Sequence, residues 1–464
     1  MSDVSTRDRA SAMKRRARTS VISVAALALT LSMAACSQGS PSGGSSDSPS
    51  TAAPAGALSC PTGDGGEGKD PGPKGDPASV PESKGSTENP LKIGTLVPAT
   101  GSLAVLGPPQ LAGVNVAIKE INDAGGVLGK PVEVINRDEG ESSTDIASQS
   151  VADMMRQGVN VIFGAAASGS TKNVINQITG GGVLEISASN TSPDFTTWDD
   201  NNLYFRTAPS DVLQGRTLGN YIAQCGATTL GMIVMNDPYG TGLQTNVKQA
   251  FEGAGGQVVA ESMFNVGDSQ FQSQVDEVTN ANPDAIAIFS FDQAKQIIPL
   301  LLSKGVDPTK IFLVDGNVLD YSGESSIAKG ALEGAQGTIP GTFTSAAFRE
   351  ALKGVDPKLE NWTYAGESYD AITLVALASE AAGSTDGKAI AEQMAAVSKD
   401  GEKCFDFAGC VTLLREGKDI DYDGYSGPIA FNEAGDPSEA LIGIYTYDAD
   451  NKPVPSRAEE GSLG

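Results

Sequence analysis

From Leu91 onward the hydrophobic and polar positions follow two alternating rhythms: short runs of β-branched and aromatic residues, and longer segments whose apolar residues recur every three or four positions. Leu91 to Val97 predicts a buried strand, followed by a loop to Gly107. Pro108-Pro109 suits a helix start, Leu111, Val114, Ile118 and Ile121 lie at helical spacing, and Gly125-Gly126 end the segment. Pro131 to Asn136 predicts the next strand, and Ser143 or Thr144 can cap a helix carrying Ile146, Val151 and Met154. Val161, Ile162 and Phe163 form another short strand. Small residues follow, an amphipathic segment begins near Thr171, and Gly180-Gly181-Gly182 stop it before the strand Val183 to Ile186. Two such parallel strands would deliver two hydroxyl-rich loops, one near Ser168 and one from Ser187 to Ser192, to one carboxyl edge, where open α/β sheets bind ligands.

A second set follows. Leu203 to Thr207 predicts a strand that leads through Pro209-Ser210-Asp211 into a helix holding Leu213 and Tyr221. Strands are expected over Thr229 to Met235, Gln257 to Phe264, Ala285 to Phe291 and Ile311 to Val314, with helices from Gly242, Phe271 and Ala294 between them. Helices over Thr344 to Leu352, Ser368 to Ala382 and Lys388 to Val397 come next, then late strands at Gly427 to Phe431 and Leu441 to Tyr447. Alternating β and α elements predict an α/β protein with doubly wound parallel sheets.

Charge and composition narrow the function. The 57 acidic and 32 basic residues leave a formal charge of −25, which disfavours nucleic acid or an anionic lipid surface as partner. Histidine is absent, which removes Ser-His-Asp and Cys-His catalysis and any His-ligated metal site. At the N-terminus, Arg7 to Arg18 form a basic region and Val21 to Met33 an apolar one, too short to span a membrane as a permanent helix. Met33-Ala34-Ala35-Cys36 then resembles a bacterial lipoprotein signal. Residues 1–35 read as signal peptide and Cys36 as the lipidated first residue of the mature chain. Ser37 to Pro90 holds Gly, Ser, Pro and Asp with almost no apolar content, too little to offset roughly 1–2 kcal/mol of ordering entropy per residue, so residues 36–90 are expected to be a disordered tether. Setting Cys36 aside, four of the five cysteines remain. Cys404 and Cys410 bracket a short Gly-containing loop, and a disulfide is expected there in an oxidising compartment. Cys60 and Cys225 could pair by elimination, which the sequence leaves open.

Lys92-Ile-Gly-Thr-Leu-Val-Pro-Ala-Thr-Gly-Ser-Leu-Ala-Val-Leu-Gly107, the run Ala112 to Gly129, the stretch Val161 to Ser192, Asn236-Asp-Pro-Tyr-Gly240, Leu313-Val-Asp-Gly316, Tyr369 to Leu374 and Gly427 to Asp436 together resemble the bacterial leucine/isoleucine/valine-binding proteins. These are receptors for ABC importers on the type 1 periplasmic-binding fold. The resemblance implies two lobes, residues 91–209 with 341–432 and residues 210–340 with 433–464, joined by three crossovers near Pro209, Pro340 and Phe431. It also implies a permease partner.

An α-amino acid needs donors for its carboxylate and an anion for its ammonium. The hydroxyls of Ser168 and Thr191 and the N–H groups around Ser189 and Thr171, at the positive end of a helix, suit the carboxylate. Through the resemblance, Ser168, Ser189 and Thr191 fall on first-lobe contact positions, Asp315 on the acidic second-lobe contact for the ammonium, and Tyr239 on a tyrosine that packs on the ligand. Phe291 stands where the family often has Tyr, and Leu106 where leucine-binding members carry a large aromatic residue. Gly125-Gly-Val-Leu-Gly-Lys130 is one residue short of a phosphate loop and has Pro131 in place of Ser/Thr. Ser326-Ile-Ala-Lys329 lacks the companion motifs of penicillin-recognising enzymes. The expectation is a lipid-anchored, monomeric, extracytoplasmic solute-binding protein, not an enzyme, with no cofactor and no metal. It would bind a branched-chain or other apolar amino acid. Amides, urea or aromatic acids are the rival ligands on the same scaffold.

Overall fold

The computed structural model describes residues 58–63 and 65–462. The expected signal peptide, residues 1–35, and the expected lipidation at Cys36 fall outside the described residues. In the first lobe five parallel strands form a sheet of order β2-β1-β3-β4-β5: β1 (Lys92–Val97), β2 (Glu133–Asp138), β3 (Val161–Gly164), β4 (Leu184–Ser187) and β5 (Tyr204–Arg206). Helices α1 (Gly107–Asp123), α2 (Ile146–Arg156) and α3 (Ser168–Gly180) connect them. β3 is buried throughout, as a central strand covered on both faces must be.

After β5 the chain crosses over, and Ser210 caps α4 (Asp211–Gln224) by accepting from Val212 N–H. The second sheet has the order β15-β14-β10-β9-β8-β6-β7. Its parallel part is β6 (Thr229–Met235), β7 (Gln257–Phe264), β8 (Ala285–Phe289), β9 (Ile311–Leu313) and β10 (Gln336–Pro340), interleaved with α5 (Pro238–Gly253), α6 (Gln272–Asn280) and α7 (Ala294–Ser303). The chain then returns to the first lobe, where α8 (Ala346–Val355), α9 (Ala365–Ala382), α10 (Gly387–Met394) and α11 (Phe407–Glu416) pack, α9 lying against α1. A small sheet of β11 (Glu402–Cys404), β12 (Ile420–Gly424) and β13 (Gly427–Pro428) follows. The last crossover is fixed by a fully buried bidentate pair: Arg206 on β5 donates to both oxygens of Asp436, at 2.6 and 2.9 Å. Beyond it β14 (Glu439–Tyr447) and β15 (Pro453–Ser462) add antiparallel to the second sheet.

Three differences from the sequence reading have physical causes. The expected late strand at Gly427 to Phe431 shrinks to two residues in the small sheet. β15 was not expected, because Pro453 and Pro455 break a strand pattern; an edge strand with one solvent-facing side tolerates both. Of the residues 36–90 expected to be a disordered tether, 58–63 and 65–90 are described, and they lie against the folded body. The segment starts on the second lobe, where Cys60 is disulfide-bonded to Cys225 and Gly65 N–H donates to Ser456 C=O at 3.0 Å. It ends on the first lobe, where Gly75 N–H donates to Asp406 at 3.0 Å and Lys74 pairs with Glu120 at 2.6 Å. Covalent and backbone hydrogen bonds supply what the missing apolar side chains do not. The Cys404–Cys410 disulfide is also present.

Candidate functional site

The two lobes meet along the carboxyl edges of their sheets. One buried apolar cluster joins Leu103, Leu106, Ala166 and Ala167 of the first lobe to Tyr239 and Phe291 of the second, and Asp292 N–H donates to Ser102 C=O across the gap at 3.3 Å.

On the second lobe the site is built around Asp315, the second residue after β9. Its carboxylate is 3% exposed and accepts three hydrogen bonds: Gln214 Nε2 at 2.8 Å and Tyr239 Oη at 2.9 Å on one oxygen, and Tyr364 Oη at 2.8 Å on the other. Burial raises the Asp315 pKa, and the three donors hold the rise back. Tyr239 is placed by the start of α5, where Asp237 caps Gly240 N–H at 2.8 Å and Pro238 opens the helix. The Tyr239 ring stacks on Phe291, centroids 5.3 Å apart, and its hydroxyl accepts from Gly316 N–H at 3.1 Å. Gly316 is required there: a Cβ would come within 2.9 Å of the Tyr239 hydroxyl and 2.8 Å of Phe291.

On the first lobe the site is the N-terminus of α3 and the loop after β4. Ser168, Ser189 and Thr191 are all buried. The Ser168 hydroxyl accepts from Ser192 N–H at 3.3 Å, which leaves its proton free to donate. The Thr191 hydroxyl is buried and faces the Asp211 carboxylate. Ser189 differs, because its hydroxyl already donates to Ala166 C=O at 3.2 Å while accepting from Gln110 at 3.1 Å. Of the N–H groups expected around Thr171 and Ser189, the amides of these two residues themselves are used internally, by Ala167 C=O at 3.0 Å and the Ser187 hydroxyl at 3.4 Å. Glu139 takes the amides of Ala166 and Ala167 at 2.5 and 3.0 Å, and burial pushes its carboxyl up to about 8. Leu106, at the end of a short 3-10 turn before α1, completes the apolar wall.

The structure thus brings all seven predicted residues to the lobe boundary and adds four that sequence reasoning missed. Gln214 and Tyr364 hold Asp315. Gln110 holds Ser189, with its own carbonyl oxygen unpartnered. Asp211 stands at the first crossover with both carboxylate oxygens buried, its pKa pushed well up by burial first and the Asp315 charge second, with the Thr191 hydroxyl holding the rise back. Asp211 and Gln214 were within reach of the sequence, three residues apart at the start of a helix that follows a crossover. Tyr364 carried no signal: it sits in an irregular loop at φ 62°. Among the described residues no His/Cys/Asp/Glu group could hold a metal ion.

Two α/β lobes closing over buried donors on one side and a carboxylate on the other define a solute-binding protein. The chain belongs to the periplasmic binding protein family, whose model matches residues 90–430. It is 29% identical over 316 residues to the leucine-, isoleucine-, valine-, threonine- and alanine-binding protein of Pseudomonas aeruginosa, covering 66% of this chain and 82% of that protein. The Leu/Ile/Val-binding protein homolog 1 of Brucella abortus is also 29% identical, over 68% of this chain and 85% of its own. Among solved structures, the branched-chain amino acid transporter substrate binding protein LivJ from Streptococcus pneumoniae, in complex with isoleucine, superposes with a TM-score of 0.67 at 23% identity, covering 80% of this chain and all of its own. A solute binding protein of an ABC transporter from Rhodopseudomonas palustris, in complex with 3,4-dihydroxybenzoic acid, does so with a TM-score of 0.64 at 21% identity, over 81% of this chain and 98% of its own. The fold is the type 1 periplasmic-binding fold, and the family is one of binding proteins rather than enzymes. Among the described residues no helix is long and apolar enough to cross a membrane.

Proposed function

We propose that this protein is the extracytoplasmic solute receptor of an ABC importer, that it captures a branched-chain or other apolar amino acid between its lobes, and that Cys36 carries a lipid anchor. The observation that supports this reading is the presence at the lobe boundary of a buried second-lobe carboxylate, Asp315, together with the first-lobe hydroxyl of Ser168, which accepts one hydrogen bond and keeps its proton, and the buried Thr191 hydroxyl beside Asp211. A carboxylate has about four acceptor positions. Three are filled by side chains, and an ammonium would take up what acceptor capacity remains. Ser168 and Thr191 would hold the ligand carboxylate beside the α3 N-terminus, with Ser189 positioning the loop; Leu106, Phe291 and Tyr239 would wall the side chain. In the open protein the first lobe binds first, and closure then adds Asp315 and Tyr239. The hinge moves because the closed form has the greater affinity. The relatives named for leucine, isoleucine and valine support the ligand class.

One observation favours a second reading. Asp315 is already held by three donors without any ligand, so a carboxylic acid that lacks an ammonium would not leave it stranded, and a fold relative is named in complex with an aromatic acid. A thermal-shift panel of apolar amino acids, amides and benzoates decides between them. A specific ligand at 100 times its Kd adds about 2.7 kcal/mol of stability. A shift with leucine, isoleucine or valine supports the first reading; a shift with benzoates alone supports the second; no shift with any member sinks both.

A further inference from the structure

A cavity of about 760 Å³ lies at the side of the lobe boundary, apart from the hydroxyl loops. Its walls come from both lobes: α8 and the loop to Tyr364 on one side, and Lys295, Leu319 and Tyr445 on the other. Tyr364 separates it from Asp315, lining the cavity while its hydroxyl points to the carboxylate.

Its charge is opposite to that of the molecule. In a chain of net charge −25, Lys69, Lys295, Arg349, Lys353, Lys358 and Lys452 all line this one cavity. Only Lys452 is paired, with Asp320 at 3.6 Å; among the described residues the other five have no carboxylate within salt-bridge distance. Of the remaining lining acids, Glu360 is exposed, as are Lys69, Lys353, Lys358 and Lys452, and cancels one of their charges, while Glu367 is buried and its carboxyl is pushed up to about 8 by that burial, so at neutral pH it offsets little of the positive charge. The Arg349 Nε–H is buried without any acceptor. Such a group is costly unless something supplies the missing partner.

Aromatic rings complete the walls. Trp362 has the Arg349 guanidinium 6.0 Å and the Lys353 ammonium 5.6 Å from its ring centroid. Phe348 stacks on Tyr425 at 3.8 Å, and Phe343 meets Tyr445 edge-on at 5.4 Å. Flat apolar surfaces beside unpaired cations match one chemistry, a planar ring bearing a negative group.

We propose that this cavity is a second binding site, for a planar aromatic anion such as an aromatic carboxylate or sulfonate, distinct from the site between the hydroxyl loops and Asp315. The test uses 8-anilinonaphthalene-1-sulfonate as the probe. The chain has two tryptophans, so Trp198→Phe leaves Trp362 as the sole donor for energy transfer to it. The expected result is saturable one-to-one binding with energy transfer from Trp362. Saturating leucine should not displace the probe, and the one-to-one binding is read with no amino acid present, which keeps this result separate from any failure of the amino-acid reading. Arg349→Gln with Lys353→Gln should weaken probe binding at least ten-fold. Displacement by leucine, equal affinity in the doubly substituted protein, or no saturable binding would each overturn the proposal.

Discussion

The Tyr364 hydroxyl donates to Asp315 Oδ2 at 2.8 Å, and the two residues belong to different lobes. Tyr364 immediately precedes α9, which packs on α1 of the first lobe, while Asp315 follows β9 of the second. The bond therefore exists only when the lobes are together. A hydrogen bond to a charged group is worth about 1.5–3 kcal/mol. Tyr364→Phe keeps the ring and removes the bond, so the empty protein should open, and ligand affinity should fall about ten-fold or more with little change in folding. Small-angle scattering of the empty variant and calorimetric titration check this; an unchanged radius of gyration with unchanged affinity would remove the bond from the closing mechanism.

Asp315 itself is predicted to be indispensable to amino-acid binding. Removing one partner of a buried charge pair costs roughly 3–5 kcal/mol, enough to take a micromolar ligand beyond calorimetric detection. Asp315→Ala should lose amino-acid binding while its circular dichroism stays native. Near-normal affinity in that variant would take Asp315 out of the site. Asp315→Asn separates the two ligand readings, since an aromatic acid would survive the loss of the charge and an amino acid would not.

What was legible follows from where each residue's information resides. The Tyr239 turn could be read because Asp237, Pro238 and Gly240 encode a helix start locally, and the structure has that cap. The alternating strands of both lobes could be read because central parallel strands are apolar throughout. Tyr364 could not, since its position depends on a left-handed backbone in a loop and on a partner 49 residues away. The use of the Thr171 and Ser189 amides could not either, because composition shows that a loop is rich in donors but not which ones the fold consumes. The segment from residue 58 to Pro90 misled because it is held by cysteine, carboxylate and backbone contacts, for which hydrophobic content is the wrong measure.

Stability is predicted to fall as pH rises from about 5 to 8. Burial pushes Glu139 and Glu367 up to about 8, Asp237 to about 7 and Asp370 to about 6, whereas the unfolded chain releases those protons near ordinary carboxylate values. Between those limits the folded state holds more protons, so raising the pH favours unfolding. Asp284, lowered to about 2, acts in the opposite direction but only at more acidic pH. Glu367→Gln should flatten the decline, because an amide in that place has no proton to lose. Melting temperatures measured across the window check both statements; a melting temperature that rises from pH 5 to 8 contradicts them.

The Cys60–Cys225 disulfide ties the segment preceding the first strand to the second lobe, closing a loop between residues 165 apart in sequence. Around it Ser59 N–H donates to Cys225 C=O at 3.2 Å and the Tyr221 hydroxyl to Pro61 C=O at 3.2 Å. The rest of the segment reaches the first lobe through Asp70 with Ser345 at 2.5 Å, Gly75 with Asp406, and Lys130 with Glu88 C=O at 2.5 Å. With so little apolar surface of its own, the second-lobe end depends on the covalent bond. Replacing both cysteines, Cys60→Ser with Cys225→Ser, avoids a stray thiol. The substitution should cost about 2–4 kcal/mol of stability and expose the chain between Pro61 and Asp70 to protease, while the part beyond Gly75 stays protected on the first lobe. Denaturant titration and limited proteolysis with mass mapping test this, and an unchanged midpoint with an unchanged cleavage pattern would show that the hydrogen bonds suffice to hold the segment without the disulfide.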